Sequence, residues 1–299
     1  MDHYVGVVVV THNSADFINP LLDSLPAALA GISSRVIVVD SGSSDTTVQI
    51  VRERADCNVI AAANIGYAAA INRGAAELSD VTAILVLNPD LVLSAGCVPT
   101  LLAELSSSGV GIVVPRLVDA DGNLLYSLRN EPTIARALGL GFLRSPLFSE
   151  TIRDSKIYQQ PGLTDWATGA VMLTSSECFT ALGGWDESFF LYSEETDYCL
   201  RARQRGWRTR YTPAATALHV GGGSGRNDVL HGMQLVNRVR LYGRAHHPAA
   251  AYVYLVASAI AELSWLARGR SRSTTALRML LFPRLRPAEL GAGGSVIPR

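Results

Sequence analysis

The sequence predicts an α/β fold, with a mostly parallel central sheet and a helical appendage at its C-terminal end. Two observations carry this. Up to about residue 114, short apolar runs rich in Val and Ile alternate with stretches of helical character, the pattern of parallel strands joined by crossover helices. Beyond about residue 226 the strand signals stop and Ala, Leu and Arg dominate. With 299 residues, 48% of them hydrophobic, the chain can bury one large core and a smaller one. The expected division is a domain over 1–225 and a helical region over 226–299.

The elements follow in order. VGVVVV (5–10) is a strand, and Thr11-His12-Asn13-Ser14 follows it, with Asn13 or Ser14 as the N-cap of a helix to about Leu25. RVIVV (35–39) is a second strand ending at Asp40, before a Gly/Ser loop over 41–45 and a helix over 46–55. A short strand over 57–62 leads to Asn64-Ile65-Gly66, which opens an Ala-rich helix to about Leu78. Residues 82–87 are almost wholly apolar and read as a buried strand. It stops at Asn88-Pro89-Asp90, because proline ends ladder pairing and forces its predecessor into an extended shape. A helix over 95–107, a strand over 110–114 and a hairpin turn at Asp119–Gly122 come next. Residues 129–164 lack clear periodicity and contain Pro132, Pro146 and Pro161, so they read as a mobile or acceptor-side loop region. Regular structure returns with a strand over 169–174 and helices over 176–182 and from Glu194 to Arg205, the latter capped by Ser193. A strand near 208–212 leads to His219.

The formal net charge is zero, which gives no reason to expect a nucleic-acid partner. Cys57, Cys97, Cys178 and Cys199 are scattered, with no CxxC and no zinc spacing, and read as reduced thiols of a cytosolic protein. The N-terminal stretch runs straight into a strand and lacks the pattern of a signal peptide.

In a parallel sheet the strand ends at Thr11, Asp40 and Asn88-Pro89-Asp90 share the edge where open α/β sheets bind ligands. Asn, Pro and Asp also form ordinary turns, so position rather than residue type makes the case. A dinucleotide site would need GxGxxG after the first strand, a P-loop would need GxxxxGK[ST], and THNSAD is neither. A nucleotide site without a glycine-rich cradle must neutralise phosphate in another way. Magnesium does so with one or two carboxylates plus phosphate oxygens, and Asp90 fits that task. A second acidic cluster, Glu194, Glu195 and Asp197, follows Ser193. Acids in a first turn complement the helix dipole, and Asp197 with Arg201 is an i,i+4 pair. The approach Phe189-Phe190-Leu191-Tyr192 is strongly apolar, however. Such walls raise a carboxyl pKa, which suits a general base.

VVVVTHNS, VVDSGSSD, NIGYAAAIN, LNPD, GGWDESFFLYSEETDYCLRA and HVGGGS, in that order, resemble family 2 glycosyltransferases of the GT-A fold, and among them bacterial rhamnosyltransferases of cell-wall and polysaccharide assembly. The resemblance covers about residues 4–225. It implies that Thr11, Asn13 and Asp40 hold the nucleoside of a nucleoside-diphosphate sugar and that Asn64 and Gly66 line the donor site. It implies a divalent cation, Mg2+ or Mn2+, held by Asp90 and His219, with Glu195 as the base and Glu194 as second candidate. Asn88 stands where the family's DxD motif has its first Asp, and is expected to bond the ribose or a phosphate instead. Trp166, Trp185 and Asp186 are expected at the acceptor, since an indole offers an apolar wall with a polar edge. The implied reaction is displacement with inversion, moving a sugar such as L-rhamnose to a hydroxyl of a glycan or lipid-linked acceptor. Two rivals stand beside it. A nucleotidyltransferase would want a Gly-rich basic loop after the first strand. A sugar-nucleotide-binding module without catalysis draws its support from Asn88.

Residues 249–267 are almost uncharged, and Arg268, Arg270 and Arg272 follow. Such a segment packs, lies in the membrane interface or spans the bilayer. The Trp and the arginines rank packing and the interface above spanning. The expected location is the cytoplasm, at the inner face of the cell membrane.

Overall fold

A computed structural model describes residues 3–143, 145–221, 227–290 and 296. The elements in chain order are β1 (Tyr4–Thr11), α1 (Ile18–Leu29), β2 (Ser33–Ser41), α2 (Thr47–Arg52), β3 (Asn58–Ala62), α3 (Tyr67–Ala75), β4 (Ala83–Leu87), β5 (Leu91–Leu93), α4 (Cys97–Leu105) and β6 (Val110–Val118). There follow β7 (Leu128–Arg129), α5 (Ile134–Ala137), β8 (Gly162–Thr164), β9 (Trp166–Ala167), β10 (Val171–Ser175), α6 (Ser176–Leu182), α7 (Glu194–Gln204), β11 (Arg208–His219), α8 (Asp228–Ala245), α9 (Pro248–Ala267) and α10 (Arg272–Leu281).

The central sheet runs β3-β2-β1-β4-β10-β6-β11-β5, with β8 beside β11. The strands from β3 to β4 are parallel neighbours, β10 runs antiparallel between β4 and β6, and β6 and β11 are again parallel. Alternation of side chains along each strand feeds two cores. Val5, Val7 and Val9 of β1, with Leu85 and Leu87 of β4, join α1 and α4 on one face. Val8 and Val10, with Ile84 and Val86, join α3 and α7 on the other. Strands buried on both faces have to be apolar throughout, which is why β1 and β4 read as unbroken hydrophobic runs.

Three expectations change. Neither Asn13 nor Ser14 caps α1, which begins at Ile18. Asn13 is left-handed (φ 50°), and the Ser14 amide donates to Thr47 Oγ1 at 2.8 Å, so this loop is tied to the one after β2. The strand expected near 208–212 extends to His219 through an irregularity between Thr212 and Thr216. Residues 129–164 hold short elements rather than one long loop: β7 pairs with β9, β8 with β11, and α5 packs on α9.

The C-terminal helices α8, α9 and α10 share a core of Val236, Val239, Tyr254 and Met279, to which Phe190 and Tyr192 add from the segment before α7. Of the HVGGGS motif, Gly222, Gly223 and Ser224 lie outside the described residues.

Candidate active site

The β1–β2 register sets Thr11 opposite Asp40, and the Thr11 hydroxyl donates to Asp40 Oδ2 at 2.9 Å. The Ser43 amide donates to Oδ1 at 2.9 Å, and the Ser43 hydroxyl adds a further bond to Oδ2. Asn13 joins from the other side: its amide donates to Ser43 Oγ, and its Oδ1 accepts from the Ser44 amide, each at 2.8 Å. Asn64 Oδ1 accepts from Ser41 Oγ at 3.2 Å. Thr11, Asn13, Asp40 and Asn64 thus sit in one network across adjacent loops, with Asn13 and Asn64 exposed at its surface.

Gly66 has a packing reason to be glycine. Its φ is +88°, and a Cβ there would fall 2.6 Å from the Phe190 carbonyl oxygen. That same oxygen accepts from the Tyr67 amide at 2.8 Å. The loop before α3 is thereby pinned to the segment that leads into the acidic helix. The Tyr67 hydroxyl donates to Asn88 Oδ1 at 2.7 Å and lies 3.2 Å from the Gly169 carbonyl. Burial, and then the charges of Glu194, Glu195 and Asp90, hold its pKa well above the ordinary value, so Tyr67 keeps its proton between the acids and Asn88. A tyrosine at the start of a helix reads in sequence as packing, and only its place in NIGYAAAIN could have marked it.

Asp90 and His219 come together because β5 pairs antiparallel with β11, setting His219 opposite Leu91. His219 Nε2 is 3.2 Å from Asp90 Oδ1. That oxygen is nonetheless buried without a hydrogen bond. Among the described residues no third His, Cys, Asp or Glu joins them. An imidazole nitrogen facing an orphaned carboxylate oxygen is a donor set that a hard cation and substrate phosphate oxygens would complete.

The acid pair opens α7. Ser193 does not cap it with its side chain as expected, because Tyr192 (φ 67°) and Ser193 (φ 75°) are both left-handed. Two such non-glycine residues in succession are strained and persist only where the surroundings hold them. Asn237 of α8, fully buried, does this: its Nδ2 donates to the Leu191 carbonyl at 2.9 Å and the Tyr192 carbonyl at 3.2 Å. Burial raises the pKa of both Glu194 and Glu195. Glu194 also feels the charge of Glu195, whereas Arg129 pulls Glu195 back toward ionisation. Asp197 pairs with Arg201 at 2.6 Å, as its spacing indicated.

Glu195 lines a cavity of about 400 Å³ and Glu194 does not. The cavity is walled by Trp166, Arg129, Arg153, Arg238 of α8 and Trp265 of α9. Trp166 donates from its indole nitrogen to the Asn130 carbonyl at 2.9 Å, with its ring under Arg129. Trp185 and Asp186 lie outside this lining. Trp185 is 3% exposed and stacks on Tyr198 with ring centroids 4.5 Å apart; Asp186 pairs with Arg244 of α8 at 2.5 Å. In this structure Trp185 packs and Asp186 braces α8. Arg129 and Arg238 went unmarked in the sequence, since nothing local shows that 129 and 238 face one cavity.

Residues 6–169, more than half of the chain, match the family described as Glycosyl transferase family 2. The chain is 29% identical over 237 residues to N-acetylglucosaminyl-diphospho-decaprenol L-rhamnosyltransferase of Mycobacterium tuberculosis, covering 73% of this chain and 76% of that one. It is 27% identical over 226 residues to rhamnosyltransferase WbbL of Escherichia coli K12, covering 72% and 83%. Among solved structures it resembles GalNAc-T7 with UDP, GalNAc and Mn2+ (TM-score 0.61, 16% identity, 80% of this chain but only 47% of that one). It also resembles the mannosyltransferase PcManGT of Pyrobaculum calidifontis with GDP-Man and Mn2+ (TM-score 0.55, 17% identity, 95% and 81%). The protein belongs to glycosyl transferase family 2 and is a glycosyltransferase of GT-A type.

Proposed function

We propose that the protein is an inverting rhamnosyltransferase that moves the sugar of a nucleoside-diphosphate donor to a hydroxyl of a lipid-linked glycan. The observation that carries this is the position of Glu195: a carboxylate at the wall of a cavity, its Oε2 buried without a hydrogen bond, with Arg129 favouring its ionised form. Glu195 takes the proton of the acceptor hydroxyl as that oxygen attacks the anomeric carbon and the bond to the diphosphate breaks. The loops holding Thr11, Asn13, Asp40 and Asn64 seat the nucleoside, and Asn88, oriented by Tyr67, faces the ribose or phosphate. A divalent cation, Mg2+ or Mn2+, bound by Asp90 and His219 would supply positive charge for the departing diphosphate. The rhamnosyl assignment is supported by the two relatives named above. Thermal melting with a panel of nucleotide sugars tests the donor, since a ligand at 100 times its dissociation constant stabilises by about 2.7 kcal/mol. Transfer of label to a lipid extract then tests the reaction. Stabilisation by no rhamnosyl nucleotide would overturn the sugar assignment.

The location is proposed as the inner face of the cell membrane, with α9 lying in the interface. One side of α9 packs through Ala251, Tyr254, Ala257 and Ala261, while Tyr252, Val253, Val256, Ile260 and Leu263 are exposed on the other. Exposed Arg268 and Arg270 follow at its end, which matches an anionic bilayer. Full-length protein should pellet with anionic vesicles and be released in part by high salt. The double variant Val256→Glu, Ile260→Glu, at exposed positions, should stay in solution. Equal pelleting of variant and wild type would refute the interface role.

A further inference from the structure

The cavity at Glu195 carries more positive charge than the protein itself balances. Among the described residues neither Arg129 nor Arg153 forms an ion pair. Arg129 spends its Nη1 donor on the Tyr126 and Leu128 carbonyls, and Arg136 bonds the Pro146 and Glu131 carbonyls. Arg238 pairs with Glu150, yet its Nε is a buried donor without an acceptor. The carboxylates in the lining are Glu150, already paired, and Glu195. None of Thr11, Asp40, Asn64, Asn88 or Asp90 reaches this cavity, so the excess charge lies apart from the donor-side loops. Guanidinium groups without carboxylates match phosphate, which offers several acceptor oxygens to their forked donors. More than one such arginine calls for a ligand with more than one negative charge. A volume of about 400 Å³ also leaves room beside Glu195 for the sugar that carries the attacking hydroxyl.

We propose that Arg129, Arg136, Arg153 and Arg238 form a diphosphate subsite for the acceptor, gripping a prenyl diphosphate glycoside next to the base. This rests on the reading of the Glu195 cavity as the acceptor side. It assigns a task to α8 and to the 129–153 segment: they hold the charged junction between sugar and lipid, while Trp265 at the end of α9 walls the cavity near the exposed apolar face.

The test uses the full chain with the donor site saturated by the best-binding nucleoside diphosphate. Farnesyl diphosphate and inorganic pyrophosphate are titrated separately into wild type, Arg129→Gln and Arg153→Gln. Arg153 is exposed at the rim, so its replacement leaves folding intact. Both probes should bind wild type in mutual competition. Each variant should weaken both by roughly tenfold, the loss of one charge-assisted contact, with nucleoside diphosphate affinity unchanged. Tighter binding of farnesyl diphosphate than of pyrophosphate marks a lipid-linked source, and equal binding marks a diphosphate site indifferent to lipid, which overturns the prenyl assignment. Unchanged affinity in both variants, or complete displacement of the probes by nucleoside diphosphate, overturns the subsite. Failure of the glycosyltransfer reading would show separately, as wild type that binds no nucleoside diphosphate.

Discussion

The donor-side loops and the acid side differ in how completely their polar groups are satisfied. Asp40 uses both oxygens within the protein, bonded by Thr11 and twice by Ser43. Across the site, Asp90 Oδ1, Glu194 Oε2 and Glu195 Oε2 are buried without a hydrogen bond. Buried polar groups are normally paired, and an orphan costs stability. The protein therefore has a rigid cradle on one side and stored, unspent hydrogen-bonding capacity on the other. In the proposed function the cradle positions the nucleotide. The unspent groups await a proton, a cation or a substrate.

If that contrast is right, substitutions on the acid side should cost activity, and those in the cradle should cost stability. Glu195→Gln should lower transfer by about 10²–10⁴-fold, with nucleotide affinity near wild type. Full activity would remove Glu195 as base, and loss on Glu194→Gln instead would move the role one residue. Asp90→Ala should weaken nucleoside diphosphate binding by at least about tenfold in Mn2+ and hardly at all under chelation, as read by calorimetry. Wild type that binds equally well under chelation would end the cation assignment. In the cradle, Asp40→Asn keeps an acceptor for the Ser43 amide but puts a donor where Oδ2 now accepts from both the Thr11 and Ser43 hydroxyls. It should destabilise by about 1–3 kcal/mol, a fall in Tm of roughly 2–4 °C per kcal/mol. An unchanged Tm would show the network to be dispensable.

The smallest expected effect has the opposite sign. Burial, with the charge of Glu195, raises the Glu194 pKa well above the ordinary carboxylate value of 4.5. A carboxyl raised on folding favours the native state below its unfolded pKa, and this contribution is lost as pH rises toward the folded pKa. Glu194→Gln should thus raise Tm relative to wild type, and by more at about pH 8 than at about pH 5. A difference independent of pH would contradict the buried, hard-to-ionise state.

Much of the cradle was legible in the sequence because unbroken apolar strands ending in polar loops leave few places for those loops to be. Thr11, Asp40 and Asn88 fall at one sheet edge whichever helix lengths are assumed. The pairing of Asp90 with His219 came from the family resemblance, and local sequence pattern does not show it. It depends on β5, three residues long, meeting the end of β11, whose Pro213 and irregular stretch hide a twelve-residue strand. The packing of Trp185 was hidden for a related reason: its partner Tyr198 sits thirteen positions along, so local sequence shows an aromatic beside an acid and not the stack. The elements of 129–164 are two to four residues long, too short for any period to register.

The grip of Asn237 on the Leu191 and Tyr192 carbonyls bears on how such an enzyme could be re-engineered. The proposed base, Glu195, follows a segment held by a residue from α8, and the cavity beside it borrows walls from residues 129–166, α8 and α9. Transplanting the first four strands and their loops from a relative would exchange the nucleotide cradle as one contiguous block. No contiguous block does the same for the other half of the reaction. A chimera that swaps only the C-terminal helices would break the Asn237 clamp unless the incoming α8 carries an equivalent side chain at that depth.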